Sequence, residues 1–288
     1  MISALFRTMR PKQWYKNLVV FVAIVFSGNL GNFDAWSASL ITFFVFCLIS
    51  SSVYVINDIV DAEKDKQHPV KKNRPIASGE LKRGHAFIFS IILLVISLGI
   101  SFNFTPSLSI ISGAYFVLFL LYSLVLKQIV IVDVLTISIG FVMRAAAGAV
   151  AISVVFSPWL VICTFLVAMF LGLGKRRHEI YLLGDSATAH RKILDDYSTM
   201  MLEQMITIIT ASLVVSYSLY TFFSGRYYMM LTIPLAVYGL FRYLFLIHTS
   251  DFGGEPEMLF KDAGMVGCIL IWVIMVLFIL HFTPVYSI

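Results

Sequence analysis

Residues 35–65 read AWSASLITFFVFCLISSSVYVINDIVDAEKD. From 35 to 57 no Asp, Glu, Lys or Arg interrupts the run, and then NDIVDAEKD, residues 57–65, brings one Asn, three Asp and one Glu within nine positions. An apolar run of this length is what a membrane-crossing helix needs, about 20 residues at 1.5 Å rise each. The same length and apolarity recur along the chain, giving nine predicted spans near 14–32, 35–57, 85–103, 107–126, 130–152, 158–174, 201–224, 228–248 and 262–282. With 59% hydrophobic and 13% charged residues in 288, and a mean hydropathy of +0.91, the chain reads as an all-α integral membrane bundle forming one domain over 1–288.

The start, MISALFRTMRPKQW, lacks a cleavage site behind a short apolar core and is expected to remain in the protein. Cys47, Cys163 and Cys268 all fall inside spans, which argues against disulfides or a cysteine metal site. His68, His178 and His190 have no ligand spacing. Arg7, Arg10, Lys12 and Lys16 precede the first span. Lys64 to Arg83 carry seven more cations after the second, and Lys127, Lys175, Arg176, Arg177, Arg191, Lys192 and Lys261 fall on the same side, against Arg226 alone on the other. The positive-inside rule then predicts a cytoplasmic N-terminus and an outer C-terminus. The net charge of +5 fits that bias and anionic headgroups, not nucleic acid. Connections on the outer side are short, whereas 58–84 and 175–200, after helices 2 and 6, run to about 25 residues each, the length at which loops carry function.

On a helix, Asp58, Asp61 and Asp65 stand at i, i+3 and i+7, on one stripe about 60° wide. Like charges so placed repel, and a hard cation such as Mg²⁺ relieves them by taking carboxylate oxygens while keeping water and substrate phosphate in its shell. A solvated turn is the alternative.

NDIVDAEKD resembles the NDxxDxxxD signature of the UbiA superfamily of intramembrane prenyltransferases, and KNRPIASGEL at 72–81 is similar to the NRPIxSG segment that follows it there. The resemblance implies nine helices, two functional cytoplasmic loops and Mg²⁺-dependent transfer chemistry in a membrane. Asn57, Asp58 and Asp61 would be catalytic, and Asp58, Asp61 and Asp65 would hold the metal against a diphosphate leaving group. The second acidic motif of typical members is missing. LGLGKRRHEIYLLGD stands in its place, with Glu179 and Asp185 on opposite helix faces and a basic run, Lys175, Arg176 and Arg177. That run reads as an interfacial anchor or as a phosphate clamp. RPKQWYKN, LGLGKRRHE and AHRKILDDYS resemble the decaprenyl-phosphate phosphoribosyltransferase branch of the superfamily. This implies phosphoribosyl diphosphate as donor and a polyprenyl phosphate as acceptor.

Arg144 lies near the middle of the fifth span, at a depth where an ionisable group is costly unless it faces the bundle interior or water. Asp133 is eleven residues earlier, about 16 Å away along a helix. RPKQWYKN is open to two readings, an interfacial segment or a source of phosphate ligands in Lys16 and Asn17. Tyr122 and Lys127 close the fourth span as cavity or interfacial residues. Lys64, Arg74, Glu179 and Tyr197 complete the expected substrate-binding set. A conventional prenyltransferase and, in another class, a transporter are the competing functions. The residue pattern leaves the oligomeric state open.

Overall fold

The computed structural model describes residues 1–183, 196–249 and 261–285. Asp185, His190, Arg191, Lys192 and most of AHRKILDDYS lie outside the described residues, which contain no β-strand. The chain packs as two units, Met1–Phe156 and Ser157–Ile288.

The first unit opens with α1 (Ile2–Thr8), a 3-10 helix over Pro11–Phe21 and α2 (Val22–Phe26). It continues through α3 (Phe33–Val60), α4 (Ala62–Gln67), α5 (Arg83–Phe104), α6 (Pro106–Leu124) and α7 (Val132–Ala151). The second unit holds α8 (Pro158–Leu183), α9 (Thr199–Phe223), a 3-10 turn at Tyr227–Thr232, α10 (Ile233–Thr249) and α11 (Ala263–Phe282). Polar caps set several starts by satisfying orphan N–H groups. Asn32 Oδ1 accepts from the N–H of Asp34 at 2.9 Å, and Thr105 Oγ1 from that of Leu108 at 3.3 Å ahead of Pro106. Ser198 and Asp262 do the same for Met201 and Met265.

Among the described residues, eight helices are long and apolar enough to cross a membrane, and the chain is a multi-pass membrane protein. They correspond to the second through ninth predicted spans. The first span departs from expectation, since 14–32 forms no continuous α-helix. Pro11 starts a 3-10 helix, and Lys12, Gln13, Lys16 and Asn17 break up its apolarity. At about 2.0 Å rise per residue, such a segment reaches as far as a much longer α-helix. The second long loop also differs. α8 runs on to Leu183, so Lys175, Arg176, Arg177 and Glu179 stand on a helix and not in the predicted 175–200 connection.

The core of the first unit is Val20, Val45, Phe46, Ile49, Leu108, Tyr115 and Ala147, all buried. α3 and α5 approach closely through small polar residues, with Ser52 Oγ donating to the Ser90 carbonyl at 2.8 Å. Small side chains let helix backbones meet in lipid, where packing rather than hydrophobicity holds them. Gly148 is the sharpest case. A Cβ there would lie 2.0 Å from the Val20 carbonyl oxygen, so only glycine lets α7 rest on the 3-10 segment.

Candidate active site

The acidic stretch sits where α3 ends. The last turn of α3 presents Asn57 and Asp58, Asp61 is the capping residue with φ −88° and ψ 0°, and α4 restarts at Ala62 to carry Asp65. Asp58 is 2% exposed and Asp65 4%. A solvated turn does not bury carboxylates so deeply, and burial without partners would be prohibitive.

The partners are cations from elsewhere in the unit. Arg74 donates to Asp58 Oδ1 at 3.2 Å and to Asp65 Oδ2 at 2.6 Å, tying the two together. Arg10 forms a short ion pair with Asp58. Lys127 reaches both oxygens of Asp61 at 2.7 Å and the Asn57 Oδ1 at 3.3 Å. The expected stripe of uncompensated carboxylates is therefore corrected: Asp58 and Asp65 face Arg74, while Asp61 faces Lys127. The physical reason is sequence distance. Arg10, Arg74 and Lys127 lie 48, 16 and 66 residues from the carboxylates they meet, beyond any local helical spacing. Outside the carboxylate triad, Lys66 and Arg83 hold exposed Glu63 below the usual carboxylate range by hydrogen bonding it.

Arg10 was not among the expected site residues. Its backbone is left-handed, φ 53° and ψ 60°, a conformation rare outside glycine that turns the chain sharply between α1 and the 3-10 segment. The side chain lies over the Tyr54 ring, 5.2 Å from its centroid. Ile131 also has a positive φ, 69° with ψ −44°, in the connection that brings Lys127 up before α7. Strained backbone of this kind persists where surrounding structure enforces it.

Deeper in the same unit, Arg144 is 3% exposed. Its Nε donates to Asn17 Oδ1 at 2.8 Å, a terminal nitrogen forms a short bond to the Tyr115 hydroxyl, and the guanidinium lies 5.0 Å from the Phe141 ring centroid. Asn17 Nδ2 in turn donates to Ser50 Oγ at 3.3 Å. On α3 the positions Cys47, Ser50 or Ser51, Tyr54 and Asp58 recur every three to four residues, so one polar face links the Arg144 cluster to the carboxylates. Asn17 and Arg144 were expected site residues. Tyr54 stands at the polar end of the second span, Ser50 carries no signal beyond this spacing, and Tyr115, on α6, carries none.

The remaining candidates are less concentrated. Lys16 lies 5.9 Å over the Tyr15 ring, Lys64 is exposed, and Tyr122 is half-buried beside Phe119. In the second unit Arg176 is buried and pairs with Glu179 on its own helix. Arg177 donates to the Ile247 carbonyl at 2.9 Å and to Glu203 at 3.2 Å. Both arginines thus have partners within the unit. Lys175 stands beside them on α8, and Tyr197 is buried just before α9.

Among the described residues no three His, Cys, Asp or Glu side chains converge as they stand to hold a metal ion. The donor chemistry of Asp58, Asp61, Asp65 and Asn57 is nonetheless all oxygen, the set a hard divalent cation takes. These residues fit such an ion once the carboxylates turn from their cations.

Comparison with known proteins bears on the family and the fold. The chain is 31% identical over 295 residues to a decaprenyl-phosphate phosphoribosyltransferase of Corynebacterium glutamicum, covering 99% of this chain and 89% of that one. The protein of the same description from Mycobacterium tuberculosis H37Rv is 31% identical over 265 residues, 89% of this chain and 87% of that one. A UbiA homolog from Archaeoglobus fulgidus, solved bound to GPP and Mg²⁺, superposes with a TM-score of 0.74 at 16% identity, over 97% of this chain and 100% of that one. A solved digeranylgeranylglyceryl phosphate synthase gives 0.71 at 20% identity, over 97% and 98%. Fold, long-range similarity and the family pattern over residues 17–266 converge, and the chain belongs to the UbiA prenyltransferase family.

Proposed function

We propose that this protein transfers 5-phosphoribose from phosphoribosyl diphosphate to a polyprenyl phosphate and releases pyrophosphate, at the cytoplasmic face of the cell membrane. The observation that carries the reading is the set of buried Asp58 and Asp65 with half-buried Asp61, paired with Arg10, Arg74 and Lys127. It belongs to a chain similar over nearly its full length to relatives described as decaprenyl-phosphate phosphoribosyltransferases.

In this mechanism Asp58, Asp61 and Asp65 would hold Mg²⁺, with Asn57 offering a neutral oxygen beside them. When bound, the ion withdraws charge from the diphosphate and makes it a better leaving group. Arg10, Arg74 and Lys127 hold the phosphate oxygens of the donor in fixed positions, so charge developing on the departing pyrophosphate meets prearranged cations. A phosphate oxygen of the lipid attacks the anomeric carbon as the bond from that carbon to the diphosphate oxygen breaks. Because the attacking oxygen is already anionic near neutral pH, no side chain has to remove a proton. Arg144, with Asn17 behind it, fixes the inner wall of the site. Lys16, Lys64 and Tyr122 in the first unit, and Lys175, Arg176, Arg177, Glu179 and Tyr197 in the second, are the further substrate-binding candidates.

The test is product formation by the purified protein from labelled phosphoribosyl diphosphate and a polyprenyl phosphate, with Mg²⁺ or EDTA, beside Asp61→Ala. A lipid-linked sugar phosphate that needs Mg²⁺ and vanishes in the variant is expected. Consumption of a prenyl diphosphate with an aromatic acceptor, and no sugar lipid, would assign conventional prenyl transfer instead.

A further inference from the structure

Three carboxylates and three cations at the end of α3 already cancel one another. A lone divalent cation entering this set brings two uncompensated positive charges into a half-buried place, and a lone diphosphate brings uncompensated negative ones. Each alone is penalised, and together they largely cancel.

Exposure gives the order of layers. The Arg10 and Arg74 side chains are 26% and 25% exposed, whereas Asp58 and Asp65 beneath them are 2% and 6%. The arginines are thus the more water-accessible half of each pair. Two of the three cations also have a neutral foothold besides their carboxylate, Arg10 on the Tyr54 ring and Lys127 on the Asn57 amide oxygen. They can leave the acid without leaving the site.

Building on the donor and metal assignment above, we propose that Arg10, Arg74 and Lys127 are exchangeable counterions. They hold the Asp58, Asp61 and Asp65 carboxylates in the absence of ligands and turn to the diphosphate when a divalent cation takes those carboxylates, so that metal and diphosphate bind as a mutually dependent pair. The three cations thereby act as positioning residues in one state and as substrate ligands in the other. No covalent bond changes in the exchange.

The experiment uses the full-length protein in detergent and two binding measurements without turnover. Mn²⁺ binding is read from the paramagnetic signal of the free ion, and retention of labelled inorganic pyrophosphate is read at saturating Mg²⁺. Arg74→Gln is expected to bind Mn²⁺ alone about tenfold more tightly than the unaltered protein and to retain pyrophosphate about tenfold less well, a coupling of ordinary size. Lys127→Gln, whose partner is Asp61, repeats the test should the first variant fold poorly. A purely structural arginine would weaken both measurements, and a simple phosphate ligand would leave Mn²⁺ binding unchanged. Either result overturns the exchange. Asp61→Asn separates this from the underlying assignment: if it binds Mn²⁺ as the unaltered protein does, the carboxylates are not the metal site and the proposed mechanism fails with it.

Discussion

Gly148→Ala tests whether the Arg144 cluster depends on how closely α7 and the 3-10 segment approach. The added Cβ would sit 2.0 Å from the Val20 carbonyl oxygen and 2.9 Å from its carbon, whereas ordinary contact begins near 3.4 Å. Backbone cannot swing aside like a side-chain tip, so the two elements must part by about 1.4 Å, the shortfall between those distances. Arg144 lies one turn before Gly148 and Asn17 one turn before Val20, so the same movement carries the 2.8 Å bond between them beyond hydrogen-bonding range. Overpacking costs about 1–3 kcal/mol and a lost bond to a charged group about 1.5–3 kcal/mol, while alanine returns about 1 kcal/mol of helix propensity. The net expectation is about 3 kcal/mol of destabilisation, read from denaturant unfolding in mixed micelles. A double-mutant cycle sharpens it: Asn17→Ala should cost about 2 kcal/mol more in the natural background than once Gly148 is alanine, where only its Ser50 contact remains to be lost. Gly113, on α6 with open space around it, is the control and should tolerate alanine without loss. Equal stability of Gly148→Ala and the unaltered protein, or an undiminished Asn17 effect, would refute the reasoning.

Other expectations follow from single contacts. Tyr115→Phe keeps the ring against Arg144 but removes the hydroxyl acceptor, and should cost about 2 kcal/mol in the same unfolding assay. Asp58→Asn removes the charge that Arg10 and Arg74 share, and the rate of lipid-linked sugar formation is expected to fall roughly a hundredfold. Asp262 is held below its ordinary value of 3.8 first by hydrogen bonding from Arg242 and then by the Met265 N–H. Its contribution to anchoring α11 is complete above that value and disappears as pH falls through the lowered one. Asp262→Asn should therefore flatten the acid limb of the stability profile and leave the neutral plateau little changed in slope.

Eight of nine spans were legible because length and apolarity alone decide them: 35–57 was expected where Phe33–Val60 is found, and 262–282 where Ala263–Phe282 is found. The first, 14–32, is found as a 3-10 helix running into α2, because apolarity does not tell a 3-10 from an α-helix. Pro11 and the polar run behind it were the available warning. At the candidate site, spacing and family pattern single out Asp58, Asp61 and Asp65 as a set, and the structure places all three at the end of α3 and the start of α4. Their pairing with Arg74 and Lys127 was not legible, because a helix has no periodicity that reaches 66 residues. Arg10 was hidden in a stretch whose basic residues are explained equally well by topology. α8 was cut short at 174 because Lys175, Arg176 and Arg177 look like the end of a span, yet salt bridges to Glu179 and Glu203 let the helix carry them onward.

The 3-10 segment also bears on how the chain is assembled during synthesis. Pro11–Phe21 is made before α3 and α7, so Asn17 finds Ser50 only when α3 has emerged and Arg144 only when α7 has, 127 residues later. A guanidinium at mid-span is itself expensive to insert, about 2.5–3.5 kcal/mol, until Asn17 and Tyr115 meet it. The earliest and one of the later segments therefore complete each other's insertion, and neither is settled alone. A nascent chain halted at Gln128 is expected to leave a cysteine introduced by Val20→Cys open to a water-soluble thiol reagent, and one extended beyond Ala151 to shield it.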